Sequence, residues 1–496
     1  MNAAAARLAP SRIIGVATLI ICILTYLRTL APGVTWANDG YDSGDLITAA
    51  VTGGVAHPTG YPTYLLLARL FQLLPIDDPA LKVTLLSATA AALAVFVLYD
   101  LALAWLGSAG WRASAASGIA ALSLGLSPLF WSQAVVAEVY SLNALFVALL
   151  LRFSLTTIRT PTAELPWAER LRAIICGLAL GNHLTILPLI VLWLGWSSRA
   201  TGQQRWPTRL AGRLAWVAVG LLVYMYLPLC AIGEPPIFWG RPSDWSGFWW
   251  LVSGQLYAGL AFGLSGEFLG QRVAAWAQLL AQQFNWVGIG LGCFGLLYGS
   301  ERDRALLWST CGLAAIYTAF AIGYNTAGSL AYLIPVYQIF ALWVGLGVYL
   351  IIEAAAARRI ALALPTALAL LALLFWPVLQ TARRVDASQD RRAISYAVAL
   401  LNEVPTSALL LTVNDQDTFP IWYYHFALGQ RPDLAVIAEP LLDFAWYRAN
   451  LRVTYPYLKV PDAAPAGWSV ALAKSNRERG PLCRTDGSGT TALNCR

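Results

Sequence analysis

Hydrophobic positions along this chain come in long unbroken runs, without the short periods of a soluble domain. Stretches of about 20 apolar residues recur, enough to cross the hydrocarbon core of a bilayer. About nine of them read as full spans: Ile13–Leu30, Leu81–Leu106, Ala113–Phe130, Val135–Leu155, Leu214–Ile232, Phe284–Tyr298, Ala305–Ile322, Tyr332–Ile352 and Ile360–Leu379. Placing Arg7 and Arg12 in the cytoplasm also puts Arg112, Arg152, Arg159, Arg302, Arg304, Arg358 and Arg359 there. The loops left outside carry only Arg69, Lys82, Arg241 and Arg272, as the positive-inside rule asks. The first run is long and no small-residue cleavage site follows it, so it reads as an uncleaved span rather than a signal peptide.

One apolar segment, Leu171–Trp196, has basic residues on both flanks: Arg170 and Arg172 before it, Arg199, Arg205, Arg209 and Arg213 after it. Both ends therefore belong in the cytoplasm. Its middle, "GNHLTILP", interrupts the helix with Gly181, Asn182, His183 and Pro188. The pattern predicts a re-entrant pair of short helices, because broken backbone at that depth is tolerated only against protein or a wet cavity.

The predicted architecture is a polytopic all-α membrane domain, residues 1–379, followed by a small extracytoplasmic α/β domain, residues 380–496. Two outer loops, 31–79 and 233–283, belong to the first. In the second, "SALLLTVND" and "DLAVI" read as strands and "FPIWYYHFALGQ" as helix. From Pro461 the Pro/Gly/Ser-rich chain reads as loose.

Composition agrees: 58% of residues are hydrophobic and 12% charged, with mean hydropathy +0.60. The net charge of +7 is scattered over short loops and the tail, with no dense basic run, which argues against a nucleic-acid partner. Five of the seven cysteines lie in apolar segments; Cys483 and Cys495 lie in the polar tail and can pair if it meets an oxidising compartment. Nucleotide loops, dinucleotide fingerprints, H-E-x-x-H helices and Cys-x-x-Cys pairs are missing from the sequence.

Candidate chemistry concentrates in "DSGDLITAAVTGGVAHPTGYP". Asp42 and Asp45 share a face if this stretch is helical, although Asp42 can also simply cap that helix. Pro58, Gly60 and Pro62 build a stiff turn that holds His57 and Tyr61 near the paired acids. Glu138 sits close to the outer end of a span, where an ionisable group is either functional or shallow and solvated. His183, beside Asn182, reads equally as a packing residue or a ligand. Arg241 is among the few outer cations, as an anionic ligand needs, and His425 reads as structural. Asp42, Asp45 and Glu138 can in principle hold a divalent ion, but nothing in their spacing demands one.

"DSGD…AHPTGYP" resembles the "DSGE…AHPPGYP" signature of a membrane family first catalogued as a domain of unknown function. That family is now grouped with the GT-C glycosyltransferases and includes a protein O-mannosyltransferase of animal cells. The similarity continues in order through "AEVYSLNAL", "GLALGNHLT", "YLPLCA", "PPIFWGRP", "FWWLVSGQLY" and "YLIPVYQIFALWVGLG", and the tail's "LLTVNDQDTFPIWYYHFALGQRPDLAVI" resembles bacterial members. Asp42 matches the leading Asp, Asp45 the Glu, and His57, Gly60, Tyr61 and Pro62 the turn, with Thr59 in place of the second proline. Family members often carry Arg where this chain has Cys230, and Asp where it has Arg241.

The resemblance implies an inverting transferase in the cell membrane, with a cytoplasmic N-terminus. Its donor is a polyprenyl-phosphate sugar, mannose among the candidates, and its acceptor is a hydroxyl of a protein, glycan or lipid on the outer side. Asp42 and Asp45 are the expected catalytic acids. His57, Tyr61, Arg241 and His183 are expected at the donor phosphate, supported by Gly60, Pro62, Glu138 and Asn182. A transporter of lipid-linked sugars and a non-catalytic envelope scaffold are the rival readings. Inverted repeats with paired broken helices would mark the transporter, and one interrupted segment is found.

Overall fold

The computed structural model of the protein describes residues 3–159, 166–199, 206–299, 304–465 and 467–495; Arg205 and Arg302, used above to orient the spans, lie outside them. Seven described helices are long and apolar enough to cross a membrane: Pro10–Thr29, Pro79–Leu106, Tyr140–Arg159, Pro207–Gly233, Arg304–Gly323, Gly328–Arg358 and Ile360–Val385. An eighth span is formed if the bent pair Trp111–Gly125 and Pro128–Ala134 is counted as one. This is a multi-pass membrane protein of the polytopic helical class the sequence predicts.

The count sits close to the nine spans expected, and the differences are local. The run around Ala113–Phe130 bends by 69° where Pro128 starts a new helix, since proline cannot continue the preceding hydrogen-bond ladder. Phe284–Tyr298 is the end of a longer helix, Leu269–Tyr298, broken at Asn285, which adopts φ 48° and ψ 178°. The Asn285 side chain restarts the helix by accepting from the Val287 and Gly288 amides. That leaves an apolar piece too short to span alone.

Burial separates inner from outer helices. About two thirds of the apolar window in Gly328–Arg358 is buried (67%), against 17% in Ile360–Val385, so the first is a core helix and the second faces lipid. Within the core, Gln338 is fully buried and donates to the Ala144 carbonyl at 2.8 Å, which joins the central helix to Tyr140–Arg159. The segment expected to be re-entrant forms helices Pro166–Leu180 and Leu187–Arg199, interrupted at Gly181–His183.

The C-terminal domain is a small α/β unit whose sheet has strands β1 (Leu409–Thr412), β2 (Ala435–Ala438), β3 (Leu482–Thr485) and β4 (Leu493–Cys495). Their order is β2-β1-β3-β4; β1 runs parallel to both neighbours, and β3 and β4 form an antiparallel pair. The expectation of a loose tail from Pro461 is corrected here. That segment supplies helix Trp468–Ser475 and half of the sheet, and a Cys483–Cys495 disulfide joins β3 to β4. Strands of three and four residues carry no readable periodicity, and the surrounding Pro, Gly and Ser are their turns.

Two contacts seat this domain on the first outer loop. The Asp390 Oδ2 atom accepts from the Thr35 hydroxyl at 2.6 Å and the Ala37 amide at 2.7 Å. Gly44, in helix Ser43–Thr52, lies so close to helix Asp415–Trp422 that a Cβ would stand 2.5 Å from the Phe419 carbonyl carbon and oxygen. Gly44→Ala is therefore expected to destabilise the protein. The backbone clash costs about 1–3 kcal/mol, which outweighs the roughly 1 kcal/mol that alanine gains in helix propensity. A thermal midpoint in detergent equal to the wild type's would refute the close packing of these helices.

Candidate active site

The first outer loop folds as two short helices, Ser43–Thr52 and Pro62–Phe71, joined by the His57–Tyr61 turn. Gly60, at φ +82°, makes the turn possible, and a Cβ there would meet Leu251 at 2.9 Å. Pro62 opens the second helix, where its missing amide hydrogen costs nothing. That helix is tied to the re-entrant break: the Thr63 amide donates to the Gly181 carbonyl, and its hydroxyl to the Leu178 carbonyl. The second outer loop approaches from the other side. Val55 and Phe238 form a parallel bridge, with the Val55 amide donating to the Ile237 carbonyl and the Trp239 amide to the Val55 carbonyl.

This framework fixes Asp45. The residue is fully buried, and three donors converge on its carboxylate. Oδ2 accepts from the His57 amide at 2.9 Å and from His57 Nδ1 at 2.7 Å, while Oδ1 accepts from Trp239 Nε1 at 3.0 Å. Asp45 was expected beside Asp42 as a catalytic acid. It does not line the cavity, because its oxygens are committed to His57 and Trp239; its place is that of a positioning residue.

The proton count on His57 follows from its partners. An ionised carboxylate only accepts, so Nδ1 carries a hydrogen toward Asp45. The Tyr61 hydroxyl donates to the Pro58 carbonyl at 3.0 Å, which leaves its oxygen to accept from His57 Nε2 at 3.2 Å. Both ring nitrogens are donors and His57 is an imidazolium. Burial works against this charge, but the Asp42 and Asp45 carboxylates prevail and lift its pKa to about 9.

Asp42 stands 3.8 Å from His57 Nε2. It occupies the position before helix Ser43–Thr52 but makes no capping hydrogen bond, which removes the simple capping role. Its side chain keeps 44% of its surface open and lines a cavity of about 660 Å³. Burial raises the Asp42 pKa above the ordinary carboxylate value, and the neighbouring His57 cation partly offsets this. The result is a carboxylate made more basic and left without a hydrogen-bond partner among the described residues.

His57, Tyr61 and His183 line the same cavity. The Thr185 amide donates to His183 Nδ1 at 3.3 Å, so this ring carries its hydrogen on Nε2. Tyr61, Tyr140 and Tyr332 surround it at centroid distances of 6.2, 5.7 and 5.7 Å. Asn182 is buried and donates to the Val139 carbonyl, which fixes the break against the residue next to Glu138. Glu138 is buried outside the cavity lining, yet close enough for its charge to act on Asp42 and His57.

Arg241, expected at the donor phosphate, is a correction: it does not line the cavity. It sits at φ 47° in a turn whose amide donates to the Phe238 carbonyl. Gly240 and Pro242 had marked it as a loop cation without indicating its direction. Arg69 is the cation near Cys230, since its guanidinium packs on Gly53 and the Cys230 thiol reaches the Gly54 carbonyl. His425 is structural, bridging the Gln430 carbonyl and the Tyr455 hydroxyl.

Sequence reasoning missed Tyr140, Tyr257, Tyr324, Tyr332 and Asp415, which also line the cavity. The tyrosines were indistinguishable from interfacial anchors. Asp415 had a usable signal, because it follows β1 closely, and α/β sheets bind ligands at the carboxyl ends of their strands. Among the described residues, no group of three or more His, Cys, Asp or Glu side chains is arranged to hold a metal ion.

Solved structures share this architecture. ArnT from Cupriavidus metallidurans, bound to undecaprenyl phosphate, superposes with a TM-score of 0.58 at 15% identity, covering 95% of this chain and 92% of that one. Archaeal oligosaccharyltransferase AglB from Archaeoglobus fulgidus, in complex with an inhibitory peptide and a dolichol-phosphate, gives 0.51 at 12% identity, covering 95% and 69%. These are likenesses of fold. Residues 42–203 match the Protein O-mannosyl-transferase TMEM260 N-terminal domain, and residues 393–461 match TMEM260-associated domain 2. The Mus musculus Protein O-mannosyl-transferase TMEM260 is 28% identical over 460 residues, 85% of this chain and 62% of the relative. Its Dictyostelium discoideum counterpart is 24% identical over 493 residues, 89% and 59%. The chain is thus similar to these proteins over most of its own length, and to both of the TMEM260 domains. It spans about three fifths of the length of these relatives.

The Asp45–His57 pair makes a spectroscopic prediction. The chain has three histidines, so isotope labelling of histidine gives a spectrum simple enough to assign. His57 should stay protonated until pH approaches about 9. Asp45→Asn removes one of the two anions responsible, so His57 should lose its proton at lower pH. An unmoved titration would disprove the pairing.

Proposed function

We propose that the protein transfers a sugar, mannose, from a polyprenyl-phosphate donor to a hydroxyl of a protein acceptor, with inversion at the anomeric carbon. One observation carries the reading: Asp42 is a carboxylate without a hydrogen-bond partner among the described residues, open to a large cavity and 3.8 Å from a histidine held as a cation. The relatives' designation as protein O-mannosyl-transferases supports the acceptor class and sugar, and the lipid phosphates bound by ArnT and AglB support the donor class.

The reaction needs few groups. The acceptor oxygen attacks the sugar's anomeric carbon, its proton passes to Asp42, and the bond to the phosphate oxygen breaks, with the electron pair leaving on the phosphate. Phosphate departs as a stabilised anion, so a base matters more than an acid. His57 favours the ionised form of Asp42 despite burial and supplies positive charge where the leaving group's negative charge develops. A single base with no nucleophile on the opposite face of the sugar gives inversion. The rings of Tyr61, Tyr140, His183 and Tyr332 offer faces to the sugar, and Leu184, Leu187, Ile316 and Phe320 an apolar wall to the first prenyl units.

We assign this chemistry to the extracytoplasmic side, with the N-terminus in the cytoplasm. The disulfide in the C-terminal domain supports that side, since such bonds persist in oxidising compartments.

Purified protein supplied with radiolabelled polyprenyl-phosphate mannose and an acceptor domain should release polyprenyl phosphate and label the acceptor. Asp42→Asn should lower turnover by roughly 10²–10⁴-fold. In the wild type, the rate should fall as pH drops through the raised Asp42 pKa, so the acidic limb should lie above the ordinary carboxylate value of about 3.9. Turnover retained in Asp42→Asn would overturn the base assignment.

A further inference from the structure

Asp415 belongs to the C-terminal domain, yet it lines the same cavity as Asp42, which comes from the first outer loop. No hydrogen bond or ion pair engages its side chain among the described residues. It is the first residue of helix Asp415–Trp422, but the capping is done by its neighbour: Asn414 Oδ1 accepts from the Asp417 amide at 2.9 Å. Helix termination therefore does not account for Asp415.

Two further observations give it a role. The first is topological. β1 runs parallel to β2 on one side and to β3 on the other, so the chain leaves β1 at a switch point of the sheet. The crevice outside the carboxyl end of such a strand is where α/β sheets receive ligands, and Asp415 follows β1 there. The second is electrostatic. Asp42 and Asp415 line the cavity with no Lys or Arg among its lining residues, and its one cation, His57, is paired with Asp42 and Asp45, which leaves Asp415 without an ion-pair partner among the described residues. The Asp415 pKa is raised to about 6, by burial first and the Asp42 charge second, so it is ionised at neutral pH. The C-terminal domain thus adds a negative group to a cavity whose other lining includes the apolar residues Leu187, Ile316 and Phe320.

We propose that Asp415 is a specificity residue for the acceptor, selecting polypeptide segments that carry Lys or Arg beside the hydroxyl to be modified and disfavouring those with Asp or Glu there. This deepens the transferase reading and rests on it for the identity of the ligand. A charged hydrogen bond from a flanking ammonium or guanidinium to Asp415 is formed only by the basic segment, and the acidic segment meets repulsion from both carboxylates. The expected discrimination is roughly tenfold.

Equilibrium binding, which does not depend on turnover, is the test. Two fluorescent threonine peptides that differ only in flanking Lys or Glu are titrated into full-length protein at low ionic strength. The Lys peptide should bind the wild type about tenfold more tightly. Asp415→Asn should bring the ratio close to one, and Asp415→Lys should reverse it, which no loss of folding can imitate. A wild-type ratio of one, or a ratio that survives both substitutions, overturns the inference. Charge-selective binding without sugar transfer would leave it standing and sink the transferase reading instead.

Discussion

A single buried carboxylate organises the loops around the cavity of this protein. Asp45 collects the amide and Nδ1 of His57 and the indole of Trp239, which come from a helix–turn–helix and from a second loop far along the chain. A buried charge is tolerated only when such donors surround it. Meeting that demand pulls the second outer loop onto the first, sets the histidine's tautomer and charge, and places that charge against Asp42. The roles within the motif follow from this: the second acid holds, the histidine is held, and the first acid is left free.

The membrane class, most span positions and the break between Leu180 and Leu187 were legible because each rests on composition over many residues. The cluster of Asp42, His57, Tyr61 and His183 was legible through the Pro–Thr–Gly–Tyr–Pro turn and the helix break, both of which are local signals. The direction of a side chain was not. Asp45 lies one helical turn from Asp42, yet burial depth separates their roles, and nothing in the spacing states it. Arg241 was chosen for its charge, and a positive-φ turn carries it outside the cavity lining. The tail from Pro461 failed for the opposite reason: its strands are shorter than any period that could reveal them, and the disulfide that pairs them is a long-range fact.

The cavity is a composite. Its Asp42 wall comes from the loop after the first span, its aromatic lining from helix ends and the break at Gly181–His183, and Asp415 from the α/β domain. Gly44 and Asp390 are the seams that bring these parts to contact distance. Positions distant from the chemistry therefore control whether a closed site exists, as expected when productive geometry depends on the placement of separate elements.

That division has a consequence for biosynthesis. The ribosome delivers Asp42 well before Asp415, and the sheet behind Asp415 closes only with the strand ending at Cys495. Throughout elongation the nascent chain exposes a half-built, partly aromatic trough to the bilayer and to folding helpers, and domains emerging from the N-terminus must wait for their partner. The cavity is thus complete only once Asp415 and the sheet behind it have joined the earlier loops.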